Sequence, residues 1–136
     1  MADPTSTRAL VRRYLEAFNA SDFDAMEATL HEDVAHDVNQ GEREIGREAF
    51  RRFNMEMARH YDERLSDIAV MVDEHGTRAA AEFTVRGIYR ETADDMPPAS
   101  DQSYAVPAGI FFAVDDDRIT RVSTYYNLAD WKRQVG

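Results

Sequence analysis

Two hydrophobic periods divide this chain of 136 residues, and their order restricts it to one fold class. Up to about residue 61 the apolar side chains recur at helical spacing, and from Leu65 they alternate every second residue. Leu10, Val11, Tyr14, Leu15 and Phe18 share one helix face, Arg12, Arg13 and Glu16 the other, and Asp3-Pro4 with Thr5 or Ser6 supplies an N-cap. Asn19-Ala20-Ser21 ends that helix. Ser21 and Asp24 have capping-box spacing for a second helix that buries Phe23, Met26 and Leu30. A strand over 34–39, a turn at Gln40-Gly41 and an extended piece over 43–45 lead to Gly46. A third helix follows, with Phe50, Phe53, Met57 and Tyr61 as its apolar stripe.

The second half obeys a different rule. Residues 65–72 alternate, Asp73-Glu74-His75-Gly76 reads as a hairpin turn, and 78–89 alternate again. A long loop over 91–101 contains Asp94-Asp95-Met96-Pro97-Pro98. Strands over 104–114 and 119–126 flank the turn Asp115-Asp116-Asp117, and 127–132 form a helical turn. Helices first and hairpin-linked strands after is an α+β order. It predicts N-terminal helices packed on one face of a curved, mixed but mainly antiparallel sheet. The length predicts a single domain over 1–136.

Composition removes several function classes. Sixteen Lys and Arg stand against 26 Asp and Glu, a net charge of −10. Arg12-Arg13 and Arg51-Arg52 are basic pairs rather than a cluster, which argues against nucleic acid and anionic membranes as partners. Without cysteine there is no disulfide, thiolate nucleophile or thiolate metal site. His31, His36, His60 and His75 lack metal-ligand spacing, so neither metal nor cofactor is expected. Ser103 and Ser123 lack the glycine elbow of a serine hydrolase. No run reaches the roughly 20 apolar residues of a membrane span, and the opening residues lack an apolar signal core. The cytoplasm is the expected compartment.

Alternation then places candidate site residues. Val34, His36 and Val38 share one strand face, opposite Ala35 and Asp37. With the valines inward, so is His36, a base whose unperturbed pKa of about 6.5 suits proton transfer near neutral pH. Counted in twos, the other inward sets are Ala79, Ala81, Phe83, Val85, Gly87 and Tyr89; Ala105, Pro107, Gly109, Phe111 and Ala113; and Val122, Thr124 and Tyr126. Pro107 and Gly109 are unusual inside a strand and suggest a bulge or an edge. Tyr14, Tyr89 and Tyr126 would then converge with His36, Asn39 and Asn127 on a mostly apolar cavity. The expected ligand-binding set is Phe18, Val38, Phe83, Val85, Tyr89, Gly109, Phe111, Thr124 and Tyr126. For His36 and Tyr14 the plainer alternative is a satisfied core residue.

Arg13-Tyr14 through Asn19-Ala20-Ser21-Asp22-Phe23-Asp24, Asp33-Val34 and Ile45-Gly46-Arg47-Glu48-Ala49-Phe50 together carry a resemblance. The chain resembles the ketosteroid isomerases and SnoaL-like polyketide cyclases of the nuclear-transport-factor-2-like superfamily, over nearly its whole length. The resemblance implies a cone-shaped α+β barrel whose open end holds a mostly apolar ligand, and a homodimer built through the sheet. It also implies that Tyr14 occupies the place of the isomerases' tyrosine, which donates to a dienolate oxygen. Their proton-shuttling aspartate falls on Val38, beside Asp37, and their protonated acid falls near Gly109. The cyclases' aspartate falls at about Thr124. Three carboxylates of the relatives are therefore missing, and the Asp-Arg-Asp set of the limonene epoxide hydrolases finds no place in the cup.

The expected function is binding of a small apolar carbonyl compound, with an isomerase or cyclase reaction by proton transfer next to the carbonyl. In that reading His36 moves the proton while Tyr14, with Tyr126, stabilises the enolate oxygen. Two other readings stay open: a non-catalytic binding module, and a protein-interaction domain acting through the exposed sheet. Fold alone does not choose among them.

Overall fold

A computed structural model describes residues 3–136, so Met1 and Ala2 of the expected domain lie outside the described residues. Helix α1 (Pro4–Asn19) starts at Asp3, whose carboxylate accepts from the backbone N–H of Ser6, and Pro4 fills a first-turn position that needs no donor. Helix α2 (Phe23–Ala28) is capped by Asp22, which accepts from the Ala25 N–H. The expected Ser21–Asp24 box does not form. Ser21 has a φ of 54° and makes the turn between the helices, leaving the capping position to its neighbour.

Strand β1 (Leu30–Asp37) begins four residues before the expected start, taking Leu30 out of α2, and β2 (Arg43–Ile45) pairs with it. Helix α3 (Arg47–His60) passes directly into β3 (Tyr61–Val72). Tyr61 matches the helical stripe by spacing, yet its φ of −130° and ψ of 127° make it the first strand residue. Strands β4 (Arg78–Tyr89), β5 (Gln102–Asp115) and β6 (Arg118–Tyr126) follow, and the expected terminal turn is a full helix, α4 (Leu128–Val135).

The sheet runs β2-β1-β6-β5-β4-β3. Only β1 and β6 are parallel, so the fold is α+β with a mixed, mainly antiparallel sheet, curved but not closed. It has the architecture of the nuclear-transport-factor-2-like cone. The main core joins Leu10, Val11, Tyr14 and Leu15 of α1 to Phe83, Ile110, Phe112 and Val122 of the sheet. Burying a side chain such as Phe112 contributes about 1.5–3 kcal/mol. A second cluster of Tyr61, Tyr89, Tyr104, Val106, Trp131 and Val135 closes the other end. No helix among the described residues is long and apolar enough to cross a membrane.

Candidate active site

Between the helices and the concave face of the sheet lies a cavity of about 230 Å³. Tyr14, Phe18, His36, Val38, Phe83, Val85, Thr124 and Tyr126 line it, together with Phe50 and Phe53 of α3 and Trp131 of α4. Among the described residues no lysine or arginine is part of its wall, while Asp62 and Glu63 are. Its polar groups sit at separate places in an otherwise apolar surface, the usual form of a small-molecule site.

His36 and Tyr14 both line the cavity and both pack against Phe50. The imidazole is only 4% exposed and packs against Phe50 and Phe53, with ring centroids 4.5 and 4.8 Å away. Its Nδ1 is buried without a hydrogen-bond partner, 3.9 Å from the Glu44 carboxylate across the β1–β2 pair. At that distance the carboxylate makes no hydrogen bond to the ring. Burial pulls the His36 pKa down to about 4, against a smaller upward pull from Asp37. The ring is thus neutral at pH 7 and a weaker base than its unperturbed value predicts. Tyr14 packs edge-on against Phe50 and Phe112, and burial raises its pKa, so it stays a protonated donor.

Asp37, on the opposite strand face, is engaged elsewhere. It accepts two bonds from Arg43, at 2.6 and 3.0 Å, and one from the Ser123 hydroxyl at 2.5 Å. Arg43 and then Ser123 hold its carboxyl at about 2. Parity in β1 therefore sorts the two groups, with the imidazole inward and the fully charged carboxylate outward.

One polar pair escaped the sequence reading. Glu63 of β3 lines the cavity and accepts a 2.5 Å hydrogen bond from the Tyr104 hydroxyl of β5. Burial raises the Glu63 pKa, partly offset by that bond. Tyr61, pushed up to about 12, mainly by burial, and Tyr126, also raised, stand close enough to feel its charge. The available signal was the alternation Tyr61-x-Glu63-x-Leu65, hidden by starting the strand at Leu65 and leaving Tyr61 in the helix.

Three expected ligand-binding residues lie elsewhere. Gly109 and Phe111 point away from the cavity because β5 has the opposite parity to the one expected. Ala81 pairs with Ile110, Phe83 with Ala108 and Val85 with Val106, and directly opposed residues share a face. The inward set is thus Tyr104, Val106, Ala108, Ile110, Phe112 and Val114. Tyr89 has inward parity but lies roughly 13 Å along β4 from Val85, stacked on Tyr61 at 5.2 Å. Its hydroxyl donates to Pro97 O and accepts from Ala93 N, pinning the 91–101 loop instead of meeting a ligand. Asn39 does line the cavity, bonded to the Tyr126 backbone, whereas Asn127 caps α4.

Comparison with known proteins places this cavity in context. No curated protein matches the chain. A candidate polyketide cyclase from Xanthomonas campestris pv. campestris is 50% identical, with 98% of each chain covered and a TM-score of 0.96. Another from Pseudomonas putida KT2440 is 51% identical over 93% of this chain and 96% of that one, with a TM-score of 0.92. A candidate ketosteroid isomerase from Kribbella flavida DSM 17836 is 26% identical over 93% of this chain and 82% of its own, with a TM-score of 0.66. Residues 11–122, which run from within the first helix into the last strand and include Tyr14, His36, Glu63 and Tyr104, match the SnoaL-like domain. The chain belongs to the SnoaL-like family.

Proposed function

We propose that this protein binds a small, neutral, largely apolar carbonyl compound and catalyses proton transfer next to the carbonyl, as an isomerase or cyclase does. The observation that carries the reading is the presence, in one apolar cavity, of the Tyr14 phenol and the neutral His36 ring, whose Nδ1 has no hydrogen-bond partner among the described residues. Polar groups so placed lower the energy of a ligand that meets them. Tyr14 donates to the carbonyl oxygen, where negative charge grows as the neighbouring C–H bond breaks. His36, with a conjugate acid near 4, accepts a hydrogen bond from the ligand rather than carrying the transferred proton. With the Glu63 carboxylate and, among the described residues, no lysine or arginine in the wall, carboxylate or phosphate ligands are disfavoured. The size suits a ligand of one or two rings, since a cavity of about 150 Å³ takes benzene.

The test uses 2-cyclohexen-1-one in D2O, with deuterium uptake followed by NMR. Tyr14→Phe keeps the packing of the ring and is expected to lower exchange by about 10²–10³-fold. Exchange at the wild-type rate in that variant would place the carbonyl elsewhere and end this reading. A non-catalytic binding module is the second reading, favoured by Val38 and Thr124, apolar or neutral residues lining the cavity where relatives hold carboxylates. Saturable binding without exchange in the wild type would select it. We also propose a homodimer, with the outer face of the sheet docking against a second copy of itself.

A further inference from the structure

Glu63 is a carboxylate in an apolar wall with no cationic partner. Among the described residues no lysine, arginine or histidine forms an ion pair with it. Ionisable groups in such surroundings are expensive to bury and are retained where they do chemistry.

Its setting is built across three strands. Glu63 of β3 pairs with Gly87 of β4, and Gly87 pairs with Tyr104 of β5, so the three form one row on the concave face. Tyr104 crosses the middle of that row to reach Glu63. A Cβ at position 87 would stand 2.4 Å from the Tyr104 hydroxyl oxygen, and only a strand without a side chain there lets the phenol lie across it. Glycine inside a strand weakens it and marks a close approach. Here the thing approaching is the donor that aims the carboxylate. Tyr104 engages Oε2, and no protein donor bonds Oε1 among the described residues.

We infer that Glu63 is the catalytic residue that removes and returns the proton, with Tyr104 as its positioning residue. This rests on the proton-transfer reading above and deepens it. Glu63 Oε1 takes the proton from the carbon next to the carbonyl of a neutral, enolisable ketone. The C–H bond breaks and an O–H bond forms. The electron pair becomes the enolate double bond, with its charge on the oxygen facing Tyr14. Return of that proton to the same carbon gives exchange with solvent once the acid has equilibrated with water, and return to another carbon of a conjugated system moves the double bond. No further reactant is consumed. Two elements of the design support the division of labour. The group whose charge is unfavourably buried is the stronger base, and His36, whose ring is made less basic, leaves the task to it.

The titratable groups facing Glu63 are Tyr61 of its own strand, Tyr104 of β5 and Tyr126 of β6, while Asp62 next to it is exposed and pairs with Arg90. Gly87 of β4 contributes none, and Trp131 of α4 is neutral.

The test compares wild type, Glu63→Gln and Tyr104→Phe. Binding of 2-cyclohexen-1-one is read by fluorescence of Trp131, the sole tryptophan, which lines the cavity. Exchange is read by NMR in D2O. Glu63→Gln is expected to keep the wild-type Kd while exchange falls about 10²–10⁴-fold. Tyr104→Phe should move the acid limb of kcat/KM to higher pH, since the lost bond was holding the carboxyl pKa down. Wild-type exchange in Glu63→Gln overturns the assignment and leaves the proton-transfer reading intact. Loss of binding in folded Glu63→Gln makes the residue a ligand contact and also overturns it. Absence of exchange in the wild type sinks the broader reading and this one together. An unmoved acid limb in Tyr104→Phe removes the positioning role. Should Glu63→Gln not fold, the wild-type Glu63 carboxyl can be titrated by 13C NMR, and a midpoint in the ordinary glutamate range overturns the proposal.

Discussion

His36 illustrates how one residue couples the site to stability. Its ring is buried between Phe50 and Phe53, and its folded pKa of about 4 lies below the unfolded value of 6.5. Between those values the unfolded chain binds the extra proton, so stability must fall as pH drops from about 6.5 towards 4. The full shift corresponds to about 3 kcal/mol. Asp37, held at about 2, loses its contribution only at lower pH, and Glu63, whose pKa is raised, acts with the opposite sign. The comparison is therefore between variants. Urea unfolding at pH 7, 5.5 and 4.5 is expected to show a smaller loss in His36→Phe than in the wild type. Equal pH dependence in the two proteins would mean that the ring is not held neutral.

At the scale of elements, side-chain amides stand in for missing strands. β3 is an edge of the sheet, and its Leu65 N–H and C=O face away from β4. Asn19, the last residue of α1, bonds both, accepting at 2.7 Å and donating at 3.0 Å, and so docks the helix on the strand just before the bulge between Ser66 and Ala69. Asn19→Ala leaves two backbone groups unpaired and is expected to destabilise the fold by about 1–3 kcal/mol, measured by chemical denaturation. No loss would show that water replaces the amide. Gln134 of α4 does the same for β5, bonding Ala105 N and O where β6 has already ended at the Ala108–Tyr126 pair. Pro107 sits on that same side of the strand, beyond the end of β6, where its lack of an N–H does no harm. The edge expected from Pro107 is therefore real, though confined to one stretch of an otherwise central strand.

For the whole molecule, the convex face of the sheet is the counterpart of the cavity. Phe111 and Tyr125 meet edge to face at 5.6 Å and are 51% and 55% exposed, with Met71 at 50%. Arg78, Arg121 and Asp73 surround them, so the face presents both signs of charge beside an apolar centre. Such a surface can match itself about a two-fold axis. The wild type is expected to sediment as a dimer, and Phe111→Asp combined with Tyr125→Asp as a monomer that still binds cyclohexenone in the cavity. A monomeric wild type would refute the docking of a second copy.

The cavity that His36 shares with Tyr14 was decided only by the folded chain, whereas the order of periods, the cap at Asp3 and the inward valines of β1 were enough to determine the fold class and the inward face of His36. These are local facts: a helical stripe or an alternation has one apolar face when its other face is polar. β5 has no such contrast, because Phe111 and Phe112, or Gly109 and Ile110, are apolar in both directions. Its parity was decided by pairing with β4, from the Tyr89–Gln102 pair near the loop to the Arg78–Ala113 pair far from it in sequence. That pairing and the one between β3 and β4 together placed Glu63, Gly87 and Tyr104 in one row. A carboxylate near the end of a helical pattern carries no mark of its partner on another strand, so only the folded sheet could bring that pair together.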